Sequence, residues 1–222
     1  MEKQTINNDV TEEDLKSIFQ EINNLSKDLN DLAVDIFKIE TAKKLVFTPS
    51  IFIFSAINRA IALNKAYITL CETENYITAV GLLRLQADNC MRVYAVSLVN
   101  DRGKFFQDVL AGKHIRNMID AEGNKMTDDY LATELNKHFP GFKSLYKNAS
   151  GYIHFSNEHL KLNKKTSKGN GFFINELLIN GGHNFKIPHK VDFSYNMLLV
   201  GTELYKLIKG YRLHIIDLLD NY

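Results

Sequence analysis

Eight aliphatic residues near the start of the chain, Leu15, Ile18, Ile22, Leu25, Leu29, Leu32, Ile36 and Ile39, recur at steps of three and four. That spacing puts them on one side of an α-helix and forms a seam for other helices packed at a shallow angle. Thr11 opens the run "TEEDL" with Asp14 three residues later, a capping box with Asp in place of Glu. The first helix is therefore predicted over about 11–40. A helix of that length needs partners along its whole side, so the rest of the chain is expected to supply them.

The chain meets that demand. Proline occurs only at 49, 140 and 188, and proline is the residue that most disrupts helix interiors. Thr48 and Pro49 suit a helix start. Behind them Ile53, Ile57, Ala60, Tyr67 and Cys71 define a second helix ending near "CETENY", and small residues at 56, 60, 62 and 66 permit close approach. A third helix is predicted over 75–99. "KFFQDVLAG" reads as a short helix closed by Gly112, and "DAEGNK" as a turn. "TDDYLATELNKHF" is a helix capped by Thr127 and stopped before Pro140. "FKSLYKNASGYIHFS" places Phe142, Leu145, Ala149, Tyr152 and Ile153 at helical spacing. Phe193, Met197, Val200, Leu204, Leu207, Tyr211, Ile215 and Leu218 mark a last helix of about 28 residues, roughly 42 Å long.

Residues 159–190 break the pattern. Two apolar runs flank Asn-Gly-Gly in "FFINELLINGGHNFKIP", which signals a β-hairpin packed on the helices. The fold class expected is mainly α: a single domain over 1–222, an elongated antiparallel helical bundle with a small β-hairpin inserted before the last helix.

Charge and cysteine content narrow the function classes. The formal net charge is +1, which supplies no global field for nucleic acid but leaves room for a local basic patch. Cys71 and Cys90 both fall in helical patterns and form no Cys-x-x-Cys pair. The N-terminal "MEKQTINNDV" lacks a signal-peptide core. "LVFTPSIFIFSAI" is too short, and interrupted by proline, to span a bilayer as a helix of about 20 residues. A cytoplasmic protein without membrane association is expected.

Polar residues in apolar surroundings are the candidates for function. In "AVGLLRLQADNCMRVYA" (79–95), Val80, Ala87, Met91, Tyr94 and Leu98 share one helical arc, and Arg84 falls within it between Met91 and Ala95. Asp88 lies one turn on, within reach of Arg84. A guanidinium among apolar side chains is costly unless paired, and it can grip carboxylate or phosphate with two bonds. Three accounts fit: a structural Arg84–Asp88 pair fixing helix register, an anionic ligand site, or an arginine reaching the bundle edge.

A second polar face carries Lys143, Lys147, Ser150, His154 and Asn157, on the side of its helix away from the apolar stripe. Histidine there could serve as acid or base and lysine as a phosphate contact; a merely solvated face reads the same way. Ser150 and His154 lack an orienting acid for nucleophilic catalysis. His154, His159, His183 and His189 form no zinc signature, so neither metal nor other cofactor is expected. The lysines of "HLKLNKKTSKGNG" either solubilise a loop or touch phosphates, and the run is not a P-loop.

The segment 79–95, followed by "YKNASGYIHFS" (146–156), resembles bacterial helical proteins of the HEPN superfamily over about residues 60–160. The resemblance implies a central helix bearing an arginine and an acid, a later helix ending near histidine, and dimerisation with sites at the interface. It implies metal-independent RNA cleavage, with His154 as acid or base and Arg84 or Lys147 stabilising phosphate. The chain departs from the HEPN pattern in having Lys147-Asn148 upstream of His154, and Arg116-Asn117 with Ala121 where histidine is expected. The expected function is accordingly a HEPN-like module that binds a nucleotide or RNA phosphate through Arg84, Asp88, Lys147 and Ser150, with weak or no catalysis at His154. The alternative is a dimeric interaction scaffold, or a toxin–antitoxin or phage-defence partner, without enzymatic activity.

Overall fold

The computed structural model describes residues 10–154 and 185–220. Within them lie seven α-helices: α1 (Glu12–Ala42), α2 (Thr48–Glu72), α3 (Tyr76–Ser97), α4 (Arg102–Leu110), α5 (Asp128–His138), α6 (Phe142–Ile153) and α7 (Ile187–Asp220). One 3₁₀ turn, Ile115–Asn117, follows α4.

Local chemistry sets most of the boundaries. Thr11 and Asp14 close the expected capping box on α1. Pro49 sits in the first turn of α2, where its missing N–H is harmless. Gly112, at φ +88°, ends α4 in the left-handed region that glycine adopts most cheaply. Thr127 caps α5 by accepting the Tyr130 N–H at 3.2 Å. The "DAEGNK" turn is held by Asp120, whose carboxylate accepts the backbone N–H groups of Glu122 and Asn124 at 3.0 and 2.8 Å. Ile119 and Lys125 pair across it in an isolated antiparallel bridge.

The expected seam of α1 is buried from Leu15 to Ile36, but its last place goes to Glu40 rather than Ile39. Glu40 lies one turn beyond Ile36, and its carboxylate accepts a bond from the Ser50 hydroxyl. Ser50 in turn accepts from Tyr211 at 2.7 Å, so one buried polar chain ties α1, α2 and α7 together. Burial raises the pKa of Glu40 above its ordinary value, against the Ser50 bond that lowers it.

Side-chain pairings reveal the helix directions. Asn64 donates to Ser26 and Ser50 to Glu40, so α2 runs antiparallel to α1. Gln86 donates to Asn64, and Asn89 to the Ala56 carbonyl, so α3 runs antiparallel to α2. Gly201 meets Leu25 while Arg212 pairs with Asp35, so α7 runs parallel to α1. The helical bundle is thus as expected, but not antiparallel throughout. α1, α3 and α7 point the same way: α7 begins at the end where α3 began, with Lys190 paired to Glu74 at 2.6 Å.

The hairpin expected over 159–190 falls largely outside the described residues. Its last part is corrected: residues 187–190 form the first turn of α7, where Pro188 is tolerated. That helix has 34 residues instead of about 28. No strand occurs among the described residues. By length and mean hydropathy alone α2 passes the test for a membrane-crossing helix, as the core helix of a bundle also can. Here α2 lies between α1 and α3 with nine buried residues on its inner faces.

Candidate functional site

α3 is the central helix, packed by α2 and α7 on one side and by α5 and α6 on the other. On the side toward α5 and α6, Arg84, Asp88 and Arg92 succeed one another at one-turn intervals. They form the spine of the candidate site.

Arg84 is held mainly by α6 and only loosely by Asp88. Its side chain is 18% exposed, half-buried and not lodged in the core. Nε donates to the Ser150 hydroxyl at 2.9 Å. Nη2 donates to the Tyr146 hydroxyl, and the guanidinium carbon lies 3.6 Å from the Tyr146 ring centre. The separation from Asp88 is 3.9 Å, the outer limit of an ion pair. Burial pushes the Tyr146 phenol up to about 12, against the pull of Arg84, so Tyr146 remains a neutral partner.

Asp88 is the shared acid of the cluster. It accepts from Arg92 at 2.8 Å and from Arg59 on α2 at 3.2 Å. Arg92 also reaches Asp128, the first residue of α5, at 2.6 Å. Burial tends to raise the Asp128 pKa. The Arg92 bond and the charges of Arg92, Arg84 and Arg116 outweigh it and hold the carboxyl below its ordinary value. Arg92 makes both contacts through Nη2, and its Nη1 is buried without a partner among the described residues. Beside it opens a groove of about 410 Å³ lined by Arg92, Lys113, His114 and Arg116, with Val109, Gly112 and Ile115 and no acid.

The structure therefore brings Arg84, Asp88 and Ser150 together. Ser150 faces α3, not solvent as its grouping with the lysine face implied, because Tyr146 and Ser150, one turn apart, are the pair that α6 presents to Arg84. Lys147 is exposed on the other side. His154 is the exposed C-cap of α6, and Asn157 lies outside the described residues. Sequence reasoning missed Arg59, Arg92, Arg116, Asp128 and Tyr146. The Arg84–Asp88–Arg92 spacing was a readable signal for Arg92, whereas Arg59 and Asp128 join only through tertiary packing.

Fold and site together define a mainly α helical bundle with an arginine-rich face on its central helix. No family model, curated protein or solved structure matches the chain.

Proposed function

We propose that the arginine face of α3 binds phosphate, as part of a nucleotide or an RNA strand, in a module that binds rather than cleaves. The observation that carries this reading is an excess of guanidinium over carboxylate. Arg59, Arg84, Arg92 and Arg116 act on only Asp88 and Asp128, and Arg92 retains a buried donor with no acceptor. Buried donors are normally satisfied, and arginine is suited to phosphate oxygens by its planar fork. The HEPN resemblance over residues 60–160 points to the same ligand class. Catalysis has little support from the cluster. Arginine does not release its proton in proteins, and Asp128 is held ionised by its arginines, which makes it a poor base. The buried free thiols of Cys71 and Cys90 fit a reducing cytoplasmic setting.

The test is fluorescence anisotropy with a labelled 12-nucleotide uridine RNA, at low and moderate salt. Binding is expected to weaken steeply with salt, to compete with inorganic phosphate, and to fall about tenfold or more in Arg92→Ala and Arg84→Ala. Lys147→Ala should change it less. Absence of RNA or nucleotide binding at low salt removes the proposal.

A second reading, a homodimer or protein-interaction scaffold, is favoured by Phe37, Val46 and Ile51, large apolar residues exposed near one end of α1 and α2. Light scattering on purified protein tests the homodimer: a dimer dissociated by Phe37→Glu supports it, and a wild-type monomer ends it.

A further inference from the structure

Away from the arginine face, a cleft of about 660 Å³ opens between the C-terminal halves of α3 and α7. Its walls are apolar, formed by Val93, Val96, Leu98 and Leu207 with Ile53 of α2 at the base. Half of its polar side chains are cationic or basic: Arg102 at the start of α4, Lys206 and His214 on α7, and His138 at the end of α5, beside Tyr94, Ser97, Tyr211 and Glu203. The acid in the lining, Glu203, is engaged by Lys206 at 2.6 Å. Arg102 donates through Nε to the Val96 carbonyl at 3.3 Å, and its Nη1 is buried with no partner among the described residues.

We propose that this cleft binds a small organic anion with an apolar body, its carboxylate or phosphate head on Arg102 and its chain along Val93, Val96 and Leu207. Volume and lining suit an apolar body, and the guanidinium at one wall suits an anionic head. The size is that of a small-molecule site, mostly apolar with a few convergent polar groups. An apolar cleft alone would accept any hydrocarbon. The unanswered guanidinium donor supplies the selection, because an anion satisfies it and an alcohol does so only in part. Burial first, and the adjacent Arg102 second, hold His214 below its ordinary pKa, against Asp217. Tyr211 lines the same cleft with its hydroxyl occupied by Ser50, and Arg102 is the lining residue that carries a buried donor without a partner among the described residues.

The experiment is isothermal titration of the full chain with octanoate, octyl phosphate, octanol and octylamine. Octanoate or octyl phosphate should bind with 1:1 stoichiometry, at least tenfold more tightly than octanol and octylamine, and comparing the two anions identifies the preferred head group. Arg102→Gln should remove that preference. Gly210→Leu provides an independent check. A Cβ at Gly210, which lines the cleft, meets no atom within 4 Å, so the variant should fold as wild type while its side chain blocks anion binding. Equal affinity for octanoate and octanol overturns the proposal. So does wild-type anion binding in folded Gly210→Leu, or no saturable binding of either anion to the wild type.

Discussion

The two sides of α3 treat polar groups in opposite ways. Toward α1, α2 and α7, the polar side chains buried along the middle of α3 are neutral amides and hydroxyls, and the acid Glu40 and the base Arg102 lie toward one end. Gln86 donates to Asn64 and Asn64 to Ser26, Asn89 donates to the Ala56 carbonyl, and Tyr67 bonds Ser194. Toward α5 and α6 the polar groups are charged, half-exposed and unequal in number. A neutral chain sealed between helices can only fix their register, because it offers nothing to a solute. An unbalanced charge at a groove costs stability in the free protein and regains it when an anion arrives. The neutral amide and hydroxyl chain is scaffold, and we assign phosphate recognition to the open side.

The largest effect expected comes from breaking the sealed side. Asn64→Leu keeps the branched outline but takes the acceptor from Gln86 Nε2, whose Oε1 already lacks a partner among the described residues. A loss of about 2–3 kcal/mol in urea unfolding is expected for a buried polar group left without its bond. The double variant Asn64→Leu with Gln86→Leu should recover part of that loss, since both ends are then apolar. A double-mutant cycle showing no coupling would mean that the chain does not hold the helices together.

On the open side the order of effects should invert the usual expectation for arginines. Asp88→Asn removes the acid shared by Arg59, Arg84 and Arg92, and should cost about 1–2 kcal/mol at low salt. Arg84→Ala should cost less, because it relieves repulsion while giving up its bonds to Ser150 and Tyr146. Added phosphate should restore Asp88→Asn by taking the place of the lost carboxylate. If Arg84→Ala proves the more destabilising of the two, Arg84 is a structural residue, and the contrast between the two sides fails.

How much of this was legible depended on the range of the interaction. The capping box at Thr11, the α1 seam and the cap at Thr127 are local, and local spacing reveals them. Ser150 was assigned to the solvent face because the grouping followed the lysines and histidine, whereas packing turned Tyr146 and Ser150 toward Arg84. Glu40 was not recognised as buried because its compensating hydroxyl, Ser50, belongs to the next helix. The parallel course of α7 was hidden for a related reason. Helix direction depends on everything between Ser97 and Ile187, not on any stripe within α7.

Acid titration offers a smaller effect. Asp128 has a folded pKa below its ordinary value of 3.8, so the folded protein binds its proton less readily than the unfolded chain. The stability this contributes is complete above that ordinary value and fades as pH falls from there through the folded pKa. Asp128→Asn should therefore lie below wild type at pH 6, with the two converging as pH falls from 3.8 through the lower folded pKa. A constant gap across that range would show that the Arg92–Asp128 contact contributes through packing and not charge.

The smallest effect is a rate, and it measures whether the two sides are independent. Burial pushes the Cys71 thiol up to about 12 and also raises that of Cys90, which is wholly buried. Thiolate, not thiol, is the nucleophile, so neither should react appreciably with a disulfide reagent at pH 8 until the helices part. Cys90 lies on α3 between Asp88 and Arg92 in sequence, yet it points into the sealed side. In Asp88→Asn its labelling should accelerate only as far as the global stability loss dictates. Labelling of Cys90 that outpaces this loss would show that the arginine face and the neutral core open together, and that α3 transmits what happens on one side to the other.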